Sequence, residues 1–360
     1  MKVAIVYDRV NKIGGAERVL ESLHSIFPRA TLFTSIYNKK NTPWANSFEI
    51  RTSFLQSIPL INKRHEFIPY LMPAAFESFN FEGFDLVISV TSEASKGVVV
   101  PTGTHHVCIC LTPTRYLWSG YDQYFKNPLL RFITSPLIAY LRRWDLIASK
   151  RPDSYIAISE NVKKRIKKYY GCDSTVIYPP SNRLFLGKKI EKIEDKNYFL
   201  VVSRLVDYKR VELAVRACSK LKLPLLVIGE GSEYEKLDSL AGETVKFLGK
   251  VSDSQLRAYY KNCRALIFPG VEDFGITMVE VQSAGKPVIA FAGGGALEIV
   301  KEGKTGVFFK KPTVKSLSDV LLKFRESRYN EDDCRKNALR FSEMNFKKAL
   351  IAYLKKRKYI

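Results

Sequence analysis

The sequence predicts an α/β protein made of two similar parallel-sheet domains with a ligand cleft between them. Three observations carry this. The chain has 360 residues, long for one domain and comfortable for two. Short β-rich apolar runs alternate with helical segments, the order that parallel strands with crossover helices require. The alternation stops once, at Tyr178-Pro179-Pro180-Ser181-Asn182 and the polar, Lys-rich stretch from Gly187 to Asn197, and then restarts. That break reads as a domain linker, and paired α/β units place ligands in the crevice between them.

In the first half, strands are expected at Val3–Tyr7, Ala30–Thr34, Leu86–Ser89, His106–Leu111 and Ser154–Ile158. Helices are expected at Ala16–Ile26, Leu129–Ser149 and Glu160–Tyr170, the last with Ser159 as its N-cap. In the second half, strands are expected at Tyr198–Ser203, Leu225–Gly229, Val245–Leu248, Ala265–Phe268, Pro287–Ala290 and Gly306–Phe309. Helices fill Lys209–Lys220, Ser232–Leu240, Ser252–Lys261, Gly275–Ala284, Ala296–Glu302, Val314–Glu326 and Glu331–Asn345. A basic helix, Phe346–Lys358, closes the pattern. The domains so drawn are 1–185 and 186–345, with 346–360 expected to pack back on the first.

Composition narrows the function classes. Hydrophobic residues make up 46% and charged residues 26%, ordinary for a folded protein and unlike a disordered one. No run reaches the roughly 20 apolar residues of a membrane-spanning helix. The Met1–Asp8 stretch reads as a buried strand and not as a signal peptide. Six scattered cysteines form no CxxC pair, and four histidines complete no zinc pattern, so a reduced, metal-free cytoplasmic protein is expected. The formal net charge is +22. Nucleic acid, an anionic membrane or phosphorylated small molecules could each answer it. No zinc finger, RNP-like motif or helix-turn-helix supports nucleic acid.

Three segments carry the chemistry. In Pro269-Gly270-Val271-Glu272-Asp273-Phe274-Gly275-Ile276-Thr277-Met278-Val279-Glu280, a strand gives way to a glycine-bearing loop and a helix start. Unpaired N–H groups at such a start seat a diphosphate. Glu272 and Glu280 bracket the seat, and carboxylates accept hydrogen bonds from sugar hydroxyls. By itself the spacing also fits a helix whose early acids simply suit its dipole. In Ser203-Arg204-Leu205-Val206-Asp207-Tyr208-Lys209-Arg210, two cations follow a buried strand, where they could neutralise a diphosphate leaving group; a solvated basic turn is the plain alternative. Gly14-Gly15-Ala16-Glu17-Arg18 and Gly229-Glu230-Gly231-Ser232 are glycine turns at strand ends that let backbone approach a ligand or merely turn the chain.

Together these segments resemble the retaining GT-B glycosyltransferases of family four, along nearly the whole chain. The signature is Glu272-x7-Glu280, with Glu272-x-Phe274-Gly275, the Arg204/Lys209 pair and Gly14-Gly15 as companions. Ser203–Val211, Gly14–Leu20 and Thr112-Pro113-Thr114-Arg115-Tyr116-Leu117-Trp118 look closest to bacterial O-antigen and capsule mannosyltransferases. The resemblance implies two Rossmann-like domains facing across a cleft, the first on the acceptor side and the second binding nucleotide-sugar. It implies that Arg204 and Lys209 hold the donor diphosphate and that Glu272 contacts the sugar, these three forming the catalytic set. Phe274, Gly275, Ile276 and Thr277 would meet sugar and phosphates through backbone, Glu280 the ribose, and Gly14, Gly15 and Gly231 the donor. Arg115, Tyr116 and Trp118 would lie on the acceptor side.

It further implies a metal-independent hexosyltransferase with no cofactor beyond its nucleotide-sugar co-substrate, GDP-mannose by resemblance. The acceptor would be a polyprenyl-diphosphate-linked glycan, and the place the inner face of the cytoplasmic membrane. A UDP-sugar donor, a non-hydrolysing epimerase and a catalytically weak assembly partner are the alternatives. One departure stands out: relatives commonly carry a histidine where this chain has Leu111, and often one in the stretch Thr91-Ser92-Glu93. His105 and His106 begin the same strand, about 17 Å away in extended chain, and do not substitute simply. For the membrane, Arg51–Arg64 continuing through Phe67–Pro73 mixes apolar and basic residues and is read as an interfacial segment. Arg142-Arg143-Trp144, Lys163-Lys164-Arg165, Lys167-Lys168 and Lys355-Lys356-Arg357-Lys358 add positive surface.

Overall fold

The computed structural model describes residues 1–11, 14–58, 68–181, 191–193 and 197–360. The chain divides into two compact units, Met1–Pro179 with Phe346–Ile360, and Pro180–Asn345. Most of the Lys-rich stretch expected as a linker lies outside the described residues.

Among the described residues, the first unit holds seven parallel strands: β1 (Val3–Tyr7), β2 (Thr31–Thr34), β3 (Glu49–Thr52), β4 (Leu86–Thr91), β5 (His105–Cys110), β6 (Ser154–Ala157) and β7 (Ser174–Val176). Their order is β3-β2-β1-β4-β5-β6-β7. The central strands are buried along their whole length, as parallel strands covered by helices on both faces must be. Ala4 pairs with Thr31 on one side, and Val3 with Leu86 on the other. The edge strands β3 and β7 escaped the sequence reading because Glu-Ile-Arg-Thr and Ser-Thr-Val are too polar or too short to show as apolar runs.

The second unit's sheet contains β8 (Phe199–Val202), β9 (Leu225–Ile228), β10 (Val245–Gly249), β11 (Ala265–Phe268), β12 (Val288–Phe291) and β13 (Gly306–Phe309), in the order β10-β9-β8-β11-β12-β13. Its core joins Phe199, Val201, Val227 and Ile267 on strands to Val215 and Leu317 on helices. The helix Asp253–Asn262 carries a full capping box, Ser252 with Gln255, which pairs two otherwise orphaned N–H groups.

Several boundaries differ from expectation. The helix expected from Lys209 starts at Val211; Asp207–Lys209 is a single tight turn, and Arg210 is left-handed at φ 53°. The expected Glu331–Asn345 helix ends at Leu339, and a new one runs from Glu343 to Lys356. Phe341 is buried at the break, and Asn345 there donates to the Leu339 carbonyl at 2.9 Å. Helices also stop earlier than expected at Ile299 and Lys323. Phe346, Leu350, Tyr353 and Leu354 of the last helix are buried, and residues 346–360 belong to the first unit.

The interfacial reading of Arg51–Pro73 needs correction where it can be seen. Arg51 and Thr52 belong to β3, Leu55 and Met72 are core residues, and Ile58, Ile68 and Leu71 pack on the same cluster. Most of the described apolar residues of this segment are instead spent on the first unit's interior, while Phe54 and Tyr70 stay exposed. Residues 59–67 lie outside the described set.

Candidate functional site

The second unit's strand order reverses between β8 and β11. From β8 the chain steps outward to β9 and β10, then returns to β11 on the other side. Loops leaving the carboxyl ends of two such strands diverge, and the gap between them is where open α/β sheets bind ligands. Arg204 and Lys209 follow β8, and Glu272 follows β11. An ion pair between Lys209 Nζ and Glu272 Oε1 ties the two loops together. Both side chains are largely covered, at 17% and 16% exposure. A Cβ on Gly270 would sit 2.8 Å from the Lys209 carbonyl oxygen, so only glycine allows this approach. Arg204 is exposed; its Nη2 donates to Tyr208 Oη at 2.5 Å. Lys209 Nζ stands 5.4 Å from the Tyr208 ring centre.

The neighbouring loops fit the same backbone. The Leu205 N–H donates to the Glu230 carbonyl at 2.9 Å, and a Cβ on Gly231 would lie 2.2 Å from the Leu205 carbonyl oxygen. The approach of one loop to the other thus requires glycine at position 231. Gly294 and Gly295, after β12, were not singled out in the sequence. The Gly295 N–H donates to the Glu272 carbonyl at 2.9 Å, and Cβ atoms there would strike Glu272 and Phe274 backbone. The run Gly293-Gly294-Gly295 was the available signal, a glycine cluster at a strand end.

Gly275 caps the helix Ile276–Ser283 with φ 102°, a conformation in which glycine alone is unstrained. Ile276 and Thr277 supply N–H groups of the first turn. The Phe274 ring packs edge-on against Phe341, centres 5.4 Å apart, so the side chain is structural. Glu280 follows Thr277 and Ile276 by three and four residues, on one face of the helix. It is buried and accepts a hydrogen bond from Tyr260 Oη at 2.9 Å.

The first unit reverses its strand order between β1 and β4. Gly14 and Gly15 open the helix Gly15–Ile26 after β1. A Cβ on Gly14 would come 3.0 Å from Glu17 Oε2, and Glu17 accepts from Tyr7 Oη at 3.0 Å. The loops after β1, β4 and β5 meet in a polar network that sequence reasoning missed. Asp8, buried, accepts from the N–H groups of Ser92, Ala94 and Ser95 at 2.7, 2.9 and 2.8 Å. Glu93 pairs with Arg9 and accepts from Tyr116 Oη at 2.9 Å. Burial works to lower the Arg9 pKa, but the charge and hydrogen bond of Glu93 hold it above its usual value. Burial, then Glu93, raise the Tyr116 hydroxyl well above its usual range. Buried Lys96 pairs with Asp145 at 2.5 Å, and Trp118 Nε1 donates to the same carboxylate at 2.7 Å. Tyr116 and Trp118 therefore spend their polar tips inside the unit. Arg115 is half-buried, and its carbonyl accepts from Gly120 N at 2.8 Å.

Leu111 is half-buried just past β5, its N–H donating to the Thr91 carbonyl at 2.8 Å. His106 lies fully buried, 2.9 Å from Ser89 Oγ. Burial, then the Arg151 charge, lower its pKa to about 3, so it is a neutral core residue.

Residues 183–341 match the family profile "Glycosyl transferases group 1". This stretch, somewhat under half of the chain, is therefore similar to the group 1 glycosyl transferases. It contains every glycosyl transferase site residue expected in the second unit, from Arg204 to Glu280. The chain is 34% identical over 160 residues to the Alpha-1,3/1,6-mannosyltransferase ALG2 of Dictyostelium discoideum, covering 37% of this chain and 38% of that one. It is 28% identical over 159 residues to the O-antigen chain mannosyltransferase RfbU of Salmonella typhimurium, covering 42% and 45%. An uncharacterized glycosyltransferase of Methanocaldococcus jannaschii, MJ1178, is 27% identical over 194 residues, covering 52% and 53%. The chain thus spans about half the length, or less, of these relatives. Among solved structures, Anabaena HepE in complex with UDP and glucose superposes with TM-score 0.71 at 18% identity over 99% of both chains. Sucrose-phosphate synthase from Thermosynechococcus elongatus superposes with TM-score 0.75 at 17% identity over 100% of both. Two parallel-sheet, Rossmann-like units are the GT-B architecture that these structures share with this chain.

Proposed function

We propose that the chain is a retaining hexosyltransferase that moves mannose from GDP-mannose onto a lipid-linked glycan in cell-surface polysaccharide synthesis. The observation that carries this reading is the Lys209–Glu272 pair joining the two loops at the β8/β11 reversal. A cation and a carboxylate side by side suit a ligand with an anionic half and a hydroxylated half. An ammonium has three N–H donors, so its bond to Glu272 is compatible with a phosphate partner. Arg204, at the same strand end, adds a planar donor fork suited to phosphate oxygens. Glu272 then orients sugar hydroxyls, and the first turn at Ile276 and Thr277 faces the diphosphate. Glu280, beside Tyr260, accepts from the ribose.

Retention follows a front-face displacement. The acceptor oxygen bonds to the anomeric carbon as the bond from that carbon to phosphate oxygen breaks, and the acceptor proton passes to the departing phosphate. Charge growing on the leaving diphosphate is what Arg204 and Lys209 stabilise, the interaction that accelerates the step. No metal ion or further cofactor enters this scheme.

The mannosyl assignment draws on ALG2, RfbU and a GDP-mannose-dependent alpha-mannosyltransferase of Corynebacterium glutamicum at 25% identity over 166 residues. A UDP-sugar donor is the second reading, because the HepE structure holds UDP and glucose. Thermal melting with GDP, UDP, GDP-mannose and UDP-glucose tests both, since a ligand that binds the folded state raises its melting point with saturation. A shift with the guanosine pair alone supports the first reading, and with the uridine pair alone the second. No shift with any of the four overturns the nucleotide-sugar assignment. Turnover is expected to persist in excess chelator, and its loss would remove metal independence.

A further inference from the structure

The helix Pro128–Ala148 is apolar on two opposite faces. Ile138, Leu141 and Ala148 point into the first unit, as an amphipathic helix requires. On the other side Leu129, Phe132, Ile133, Pro136, Tyr140 and Ile147 are exposed, and their spacing of three, four and seven residues places them in one stripe along the helix. Phe132 is 79% exposed, Leu129 67% and Ile133 64%. Isolated exposed apolar residues need no explanation, but a contiguous stripe on a folded protein marks a surface that something covers.

Charge distinguishes the occupants. Arg143 is exposed on the same face as the stripe, and Lys126 is exposed just before the helix; Arg131 lies on the opposite face, seven residues before buried Ile138. Arg142, half-buried, lies 5.6 Å from the Trp118 ring centre. The acids nearby are Asp122, which pairs with Arg131 at 3.2 Å, and Asp145, which is buried against Lys96. The patch is therefore net basic on a chain of net charge +22. A second copy would bring like charge to like charge. An anionic surface with an apolar interior complements both the basic rim and the apolar stripe. Among the described residues no helix is long and apolar enough to cross a membrane. Pro136 and four cations in and beside this helix suit one that lies in the interface plane.

We propose that the outer face of the helix Pro128–Ala148 is an anionic-membrane docking surface, with Leu129, Phe132, Ile133 and Tyr140 entering the headgroup–acyl boundary and Arg143 contacting lipid phosphate. It rests on the lipid-linked-acceptor reading only for its purpose: it would hold the protein where such an acceptor resides. It replaces the Arg51–Pro73 segment as the element that meets lipid, since that segment's described apolar residues are largely spent on the core.

The test is co-sedimentation of the full chain with phosphatidylglycerol vesicles and with pure phosphatidylcholine vesicles, at low and high salt. Binding is expected to the anionic vesicles and to weaken with salt. The double variant Phe132→Glu/Ile133→Glu is expected to bind at least about tenfold more weakly with an unchanged melting point, because both side chains are already in water. Phe132→Ser/Ile133→Ser serves if the acidic pair disturbs folding. Arg143→Ala is expected to weaken binding and flatten its salt dependence. Equal binding by wild type and both aromatic-site variants overturns the proposal. So does a concentration-dependent dimer that Phe132→Glu abolishes, with no vesicle binding by the wild type. The nucleotide melting shift, measured on the same variants, keeps the two readings apart: losing vesicle binding alone sinks the docking surface, and lacking a nucleotide shift alone sinks the donor assignment.

Discussion

Lys209 and Glu272 stand 63 positions apart in sequence yet share one ion pair. Each is largely shielded from water, so each makes the other tolerable where it lies. In the proposed reaction both act more strongly on the transition state than on bound donor. Lys209→Ala and Glu272→Ala are therefore each expected to lower turnover by more than about tenfold while the fold survives. Steady-state rates with the donor that shifts the melting point, alongside circular dichroism, check this. Unchanged rates in either variant contradict its role. Gly270 explains why the pair meets at all, since a side chain there would press on the Lys209 backbone and hold the two loops apart.

Between elements, the first unit is joined by buried polar bonds as well as by packing. His106 on β5 reaches Ser89 on β4, and burial lowers its pKa from 6.5 to about 3. The unfolded chain therefore binds a proton between these values that the folded chain refuses. The stabilisation is complete above pH 6.5 and is lost progressively as pH falls towards 3. Linkage puts the loss at roughly 2 kcal/mol between pH 7 and 5. His106→Gln is expected to flatten the pH dependence of stability over that range, as read from denaturant midpoints at pH 7, 6 and 5. An identical slope in wild type and variant would show that His106 does not set it. Leu111, on the loop that follows the same strand, is apolar, so neither residue offers the imidazole that the family resemblance led one to expect at this edge.

At the scale of the whole molecule, the chain's two ends build one unit. Residues 346–360 belong with Met1–Pro179, and Leu350 is fully buried there. Leu350→Ala is expected to cost about 2–5 kcal/mol, the range for a leucine removed from a closed core. Hydrogen exchange should show that loss in β5 and β6 of the first unit, with β8 and β11 of the second unaffected. Equal loosening of both units would mean that they unfold as one. Net charge belongs to this scale too. It is spread over the chain, and the helix Pro128–Ala148 is where exposed apolar surface and exposed cations coincide.

Local pattern alone was enough to read the parallel α/β organisation and most of the buried strands. The apolar runs at Val3–Tyr7 and Ala265–Phe268 are strands over those same residues, because a strand covered on both faces has no polar side to blur its pattern. The helix Glu160–Tyr170 with its Ser159 cap was equally legible, since a cap acts within one turn. Glu272, Glu280, Arg204 and Lys209 could be singled out as candidates because strand ends and helix starts are written locally. What the tertiary structure alone decided is long-range. It paired Lys209 with Glu272, enclosed Glu280 beside Tyr260, gathered Arg9, Glu93 and Tyr116 from three loops, and left one side of the helix Pro128–Ala148 uncovered. Each depends on which strands become neighbours and which face a helix turns inward. Those choices are made by packing between segments far apart in the chain, and no local run of residues encodes them.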